Sequence, residues 1–308
     1  MDVYDVIIVG AGPAGITAGI YAQRARLTTL LLEKLGVGGQ IVVSDLVENY
    51  PGFQKISGSE LMQKFEEHAR SVDLRIEDEE VIEIRNGDEY KSVKTYDHDY
   101  KAKSVIIASG AASKRLGAKG EEKFIGKGVS FCATCDGFFF RDKDVLVVGG
   151  GNSAITESLL LAKIVNKVYI VHRRSELRAA KILQERAFED PKIEFIWNSV
   201  VEEITGHDTV EKVILRNVVT KERSELAVDG VFVYVGLVPN TGFTDVGKDD
   251  NGFIITDENL ATSAPGIFAA GDCRTTMLRQ VATAVGDGAL AATSAERYLS
   301  AKQRSTES

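Results

Sequence analysis

Cys132-Ala133-Thr134-Cys135, followed at once by Asp136 and Gly137, is the segment of this 308-residue chain best suited to covalent chemistry. Two thiols at this spacing close a small ring when oxidised. One can attack an outside disulfide, and the other can resolve the mixed disulfide that forms. A neighbouring carboxyl such as Asp136 can take or give the exchanged proton. Two plainer readings stand beside this one. A structural zinc site needs four ligands. Beyond the pair, the chain offers only Cys273 and the scattered His68, His98, His172 and His207. That ligand count argues against zinc, and no metal is expected. Free cysteine is also a common core residue, which is the role expected of Cys273.

Two glycine turns carry the next chemistry. Gly10, Gly12 and Gly15 follow the β-branched run Val3-Tyr4-Asp5-Val6-Ile7-Ile8-Val9. Pro13 and Ala14 fill the positions between, and a helical pattern runs over 16–25. The first glycine permits the tight turn, the second lets backbone approach a pyrophosphate, and the third lets helix pack on strand. The helix start then faces the anion. An acid for the ribose hydroxyls is expected roughly 20 residues on, and Glu33 ends the following strand, 28–32. A glycine turn without ligand is the alternative, and strand, helix and Glu33 together argue against it.

Gly149, Gly151 and Ala154 repeat the pattern after a strand over 144–148, with Asn152 and Ser153 between and a helix over 155–165. The next strand, 168–171, ends in His172-Arg173-Arg174, with Arg178 beyond. An acid there would repel a 2′-phosphate, whereas arginine grips one with paired charge-assisted bonds. The first turn therefore suits FAD or NAD, and the second suits NADP. A solvated basic face is the alternative for the arginines.

Strand, glycine turn, helix and parallel strand, twice over, predict an α/β fold: two doubly wound, Rossmann-like nucleotide-binding domains. Strand-like runs at 105–109 and 231–235 each lead into glycine. Each closes one nucleotide unit and begins a crossing. A strand over 266–270 leads into Gly271-Asp272, and an alanine-rich helix follows over 280–299. One domain is thus inserted into the other: a discontinuous FAD-binding domain of 1–112 and 243–308, and an NADPH-binding domain of 113–242 that carries the cysteine pair. Two linkers favour rotation between the halves.

A net charge of −8 argues against a nucleic-acid binder. No apolar stretch reaches the ~18 residues of a membrane span. Asp2 and Asp5 stand where a signal peptide would be basic. A cytoplasmic protein is expected. In that reducing compartment a close cysteine pair is catalytic or metal-binding rather than structural.

Together, GAGPAG at 10–15, GGQ at 38–40, ENYPG at 48–52, CATCDG at 132–137, GGGNSA at 149–154, HRRSELR at 172–178, GDC at 271–273 and RQ at 279–280 resemble the low-molecular-weight thioredoxin reductases over nearly the whole length. The resemblance implies electrons passing from NADPH through FAD and the Cys132–Cys135 pair to the disulfide of thioredoxin or a similar small redox protein. It implies a homodimer. It puts Gly39, Gln40 and Asn49 near the flavin, Gly271 and Asp272 at its ribityl chain, and Arg279 and Gln280 along its edge. Cys135 becomes the flavin-facing sulfur, Cys132 the one that attacks the partner, and Asp136 the acid–base group. It also implies a rotation that lets nicotinamide and dithiol alternate at one flavin. Residues 138–140 suit partner docking and core packing equally. Three other readings stay open. A peroxide-reducing system's reductase would normally carry an N-terminal dithiol extension, and here the first strand begins close to Met1. A ferredoxin–NADP reductase would lack the C-x-x-C. A redox-sensing flavoprotein would bind nucleotides without turnover.

Overall fold

Val6, Ile7, Ile8 and Val9 are all buried, the signature of a strand covered on both faces of a parallel sheet. In the computed structural model, which describes residues 3–44, 47–87 and 89–307, they lie in the strand Val3–Val9. Asp2 lies outside the described residues. Thr29–Glu33 pairs parallel on one side of this strand, with Arg75–Asp78 beyond it. Asp99–Ile107 pairs parallel on the other side. The long strand Asp99–Ile107 has two jobs. Its first half carries the antiparallel hairpin of Lys91–Thr95 and Val81–Asn86, and its second half pairs parallel with Ile267–Ala269.

The helix Pro13–Arg24 starts directly behind Gly12, with proline in its first turn, where a missing N–H loses no bond. Its buried face is built from small residues, among them Ala14, Gly15, Ala18 and Ala22. That lets the long helix Val281–Glu307 come close: a Cβ on Gly288 would lie 2.2 Å from the Ala14 carbonyl oxygen.

The second sheet runs Ile193–Ile196, Lys167–Val171, Asp144–Val148, Gly230–Val233, Val129–Ser130, all parallel. The helix Asn152–Ala162 follows its glycine turn. Three antiparallel strands, Ser199–Thr205, Lys212–Asn217 and Arg223–Ala227, form a separate small sheet. The α/β class with two parallel nucleotide-type sheets, expected from the motifs, is the architecture observed.

The chain divides into two units. One comprises Met1–Ala112 and Val238–Ser308, and the other is Ser113–Leu237. Among the described residues no helix is long and apolar enough to cross a membrane.

Candidate active site

Cys132 and Cys135 are joined in a disulfide, with Cα atoms 5.3 Å apart. Cys132 caps and Cys135 lies within a single helical turn, Ala133–Asp136, which follows the short strand Val129–Ser130. The Cys135 amide donates to Cys132 Sγ at 3.2 Å. Ser130 organises the other side: its hydroxyl donates to Asp136 Oδ2 at 2.5 Å and accepts from the Cys132 amide at 3.1 Å. Asp136 is therefore held beside the disulfide by a residue that the sequence pattern did not mark.

Two more unmarked residues meet this turn. The Ala133 amide donates to the Tyr234 hydroxyl at 2.6 Å. Thr134 Oγ1 donates to Glu157 Oε2 at 3.4 Å, and Glu157 also interacts electrostatically with Tyr234. Burial holds the Glu157 carboxyl above the usual range despite its interactions with Thr134 and Tyr234. Burial, with the charges of Glu157 and Asp136, pushes the Tyr234 phenol well above 10. Glu157 lies one helical turn beyond Ala154, which was the available signal. Nothing local marks Tyr234. Phe138 and Phe139 stand half exposed just past the turn, while Phe140 is buried.

The second glycine turn lies in the same unit. A cleft of about 380 Å³ is lined by Gly149, Gly150, His172, Arg173, Arg178, Lys114 and Arg115 among others. Lys114 and Arg115 add positive charge that sequence reasoning missed. Arg173, Arg174 and Arg178 are all exposed, but Arg174 lies outside the cleft lining. The His172 ring is buried, packs where a Gly150 side chain would stand, and leaves its Nε2 buried with no hydrogen bond. Burial, with the charges of Arg178, Arg174 and Arg173, depresses its pKa. Asn152 Oδ1 accepts from the Ala180 amide at 2.8 Å, pinning the loop that carries Arg178. Ser153 is exposed and Ala154 is buried at the start of the helix. A Cβ on Gly151 would meet nothing within 4 Å, which leaves a backbone face open to a pyrophosphate.

The first glycine turn shows the same shape. A Cβ on Gly10 would strike the Ala108 carbonyl at 2.4 Å and one on Gly15 the Gly10 carbonyl, whereas one on Gly12 would come no nearer than 3.9 Å to Gly39. The turn is closed behind and open in front. Glu33 Oε2 accepts from the Ala11 amide at 2.7 Å, so the acid is fixed at the mouth of the turn. Gly10, Gly12, Pro13, Ala14, Glu33, Gly39, Gln40, Gly271 and Asp272 line one cleft of about 140 Å³. It shares Gly10, Glu33 and Asn240 with a second cleft of about 430 Å³.

Asp272 supplies the sharpest test of fit. Burial pushes its carboxyl up to about 6, with Arg279 opposing and Asp287 adding to the rise. Its carboxylate accepts no hydrogen bond among the described residues, so a sugar or ribityl hydroxyl would satisfy it. Asp287 does not share the problem, because Arg274 grips it with two bonds at 2.8 and 2.9 Å. Arg279 stacks on the Phe253 ring at 4.3 Å and donates to the carbonyls of Thr276 and Arg274. Asn49 Nδ2 donates to Gln280 Oε1 at 3.1 Å, tying two residues 231 positions apart. Cys273 is fully buried, and burial lifts its thiol to about 11. Among the described residues no cluster of three or more His, Cys, Asp or Glu is arranged to hold a metal.

The chain is similar to known proteins over nearly its whole length. The family described as "Pyridine nucleotide-disulphide oxidoreductase" matches residues 4–288. The thioredoxin reductase of Listeria monocytogenes is 49% identical over 308 residues, covering 99% of this chain and 97% of its own. That of Bacillus subtilis is 48% identical over 300 residues, covering 96% and 95%. The crystal structure of the Streptococcus pyogenes thioredoxin reductase matches with a TM-score of 0.91 at 48% identity, over 97% of this chain and 99% of that one.

Proposed function

The chain belongs to the pyridine nucleotide-disulphide oxidoreductases and, within them, to the low-molecular-weight thioredoxin reductases, and we propose that it reduces a disulfide in a small thioredoxin-type protein with electrons from NADPH. The observation that carries this reading is the Cys132–Cys135 disulfide, flanked by Asp136 and built into the unit that also bears the arginine-lined cleft.

FAD, when bound, supplies two-electron exchange between a nicotinamide and a disulfide. Gly10, Gly12, Pro13, Ala14, Gly15, Glu33, Gly39, Gln40, Asn49, Gly271, Asp272, Arg279 and Gln280 would hold it in the unit of Met1–Ala112 and Val238–Ser308. Gly149, Gly151, Asn152, Ser153 and Ala154, with His172, Arg173, Arg174 and Arg178, would hold NADPH in Ser113–Leu237.

The chain's own sulfurs do the exchange. Cys132 thiolate attacks one sulfur of the partner's disulfide, that bond breaks, and the departing sulfur takes a proton. Cys135 thiolate then attacks Cys132 Sγ, re-forming the internal disulfide and releasing the second partner thiol. Two electrons leave the chain and two enter the partner. Asp136, oriented by Ser130, handles the proton. Phe138 and Phe139 offer the partner an apolar foothold. The enzyme works as a homodimer in the cytoplasm, where thiols are kept reduced.

Steady-state reduction of a panel of redoxins with each nicotinamide tests the proposal. Turnover is expected with a thioredoxin-type protein and NADPH, and Cys132→Ser should lose it to background. Neutralising Arg173 and Arg178 should raise KM for NADPH roughly tenfold or more, with little change for NADH, since each charge-assisted bond contributes about 1.5–3 kcal/mol. Flavin reduction by NADPH without any disulfide turnover would favour a sensor instead. Equal effects on both nicotinamides would remove the arginines from phosphate recognition.

A further inference from the structure

The amides that follow Cys132 are divided between two kinds of acceptor. That of Cys135 donates to Cys132 Sγ, which is the contact that stabilises a thiolate there when the pair is reduced. That of Ala133 is turned elsewhere. Ala133 N–H donates to the Tyr234 hydroxyl at 2.6 Å, and the neighbouring Thr134 Oγ1–H donates to Glu157 at 3.4 Å. The Tyr234 phenol stays protonated, because burial and the Glu157 and Asp136 charges all oppose its ionisation. Glu157 interacts electrostatically with this phenol and accepts from Thr134, so both sides of the turn meet one partly buried carboxyl.

We infer that Tyr234 and Glu157 set the reducing strength of the Cys132–Cys135 couple, Tyr234 by holding the Ala133 amide away from Cys132 and Glu157 by placing a carboxylate against the turn that carries the pair. The inference rests on the reading of that couple as the reactive one. A thiolate disfavoured by nearby negative charge means a less stable dithiol, and therefore a stronger reductant. Tyr234 and Glu157 are positioning residues here, since neither touches a sulfur. They also come from the elements that build the second glycine turn. Tyr234 N–H donates to Val148 O, the last residue before Gly149, and Glu157 lies on the helix Asn152–Ala162.

The test is the equilibrium of the flavin-loaded protein with mixtures of reduced and oxidised dithiothreitol. Two dithiothreitol thiols become its cyclic disulfide as Cys132–Cys135 becomes two thiols. Acid quenching, alkylation and mass measurement then count those thiols without any turnover. Glu157→Gln keeps an acceptor for Thr134 but removes the charge. It should shift the equilibrium toward dithiol by about five- to tenfold, the size of a charge effect at a partly buried helical turn. Tenfold is about 30 mV for a two-electron couple. Tyr234→Phe should move it in the same direction, and Glu157→Asp, which keeps the charge, should restore it. Tyr234→Phe leaves the carboxylate intact and so still reads the effect where Glu157→Gln fails to fold. An equilibrium unchanged within twofold in both Glu157→Gln and Tyr234→Phe, or shifted toward disulfide, overturns the inference. Absence of any new thiols in the parent protein at every ratio would instead overturn the reading of Cys132–Cys135 as exchangeable.

Discussion

Asp272 is an acid whose environment works against its charge. Burial lifts its carboxyl from 3.8 to about 6, so between those values the folded protein keeps a proton that the unfolded chain gives up. Stability of the flavin-free protein must therefore fall as pH rises through that window. At about 1.4 kcal/mol per pH unit, the full penalty above pH 6 is about 3 kcal/mol. Asp272→Asn removes the ionisation. In urea unfolding of the flavin-free protein, the variant's advantage should grow from near zero at pH 4 to about 3 kcal/mol at pH 7, while the variant holds flavin more weakly. A pH-independent difference would show that the carboxyl is already satisfied. At this scale the sequence was most legible where chemistry depends on neighbours in the chain. The C-x-x-C turn, the glycines, Glu33 and the arginines are local patterns, each read from its own few residues. Tyr234, Glu157 and Arg274 act through partners brought in by folding. Tyr234 meets Ala133 across 101 positions, and no spacing rule encodes such a meeting.

Helices that open a nucleotide site begin in the motif itself. Apolar periodicity suggested starts at 16 and 155, yet the helices begin at Pro13 and Asn152. The first turn is built from proline, asparagine and small residues chosen for the turn and the open backbone, so hydrophobic pattern appears only one turn later. The closing helix shows the reverse. The alanine-rich pattern gives 280–299, whereas the helix runs from Val281 to Glu307. Its last turns are polar residues with good helix propensity and no breaker, so apolar pattern ends before the helix does. The hairpin of Val81–Asn86 and Lys91–Thr95 went unread, because charged residues alternate with a single apolar face there. Packing between helices gives a prediction at this level. Gly288→Ala would put a methyl 2.2 Å from Ala14 O and 3.1 Å from Ala18 N. The helix Pro13–Arg24 must then shift at its first turn. A loss of about 1–3 kcal/mol in urea unfolding is expected, the usual size for overpacking, together with weaker flavin retention. Unchanged stability would show that the two helices have slack.

The whole molecule is two units joined by two chain crossings, at Ala112/Ser113 and Leu237/Val238. Within each unit the two chain segments that lead to the crossings are hydrogen-bonded to one another. Asn240 N–H donates to Gly110 O and Ser109 Oγ to Asn240 O in one, and Lys114 N–H donates to Gly236 O in the other. The cysteine pair and the arginine-lined cleft lie in the same unit, while Glu33 and Asp272 lie in the other. On the proposed reading, electron entry and disulfide chemistry would be properties of Ser113–Leu237, and flavin retention a property of the other unit. Cys132, on the same reading, is the sulfur through which electrons leave the chain. The most direct test of that role uses the Cys135→Ser variant, with Cys132 reduced, and a thioredoxin in which a single exposed cysteine carries a thionitrobenzoate. Attack by Cys132 should release one thionitrobenzoate per chain and leave a stable mixed disulfide, located at Cys132 by peptide mass. Release without a Cys132-linked species, or a linkage to Cys273, would contradict it.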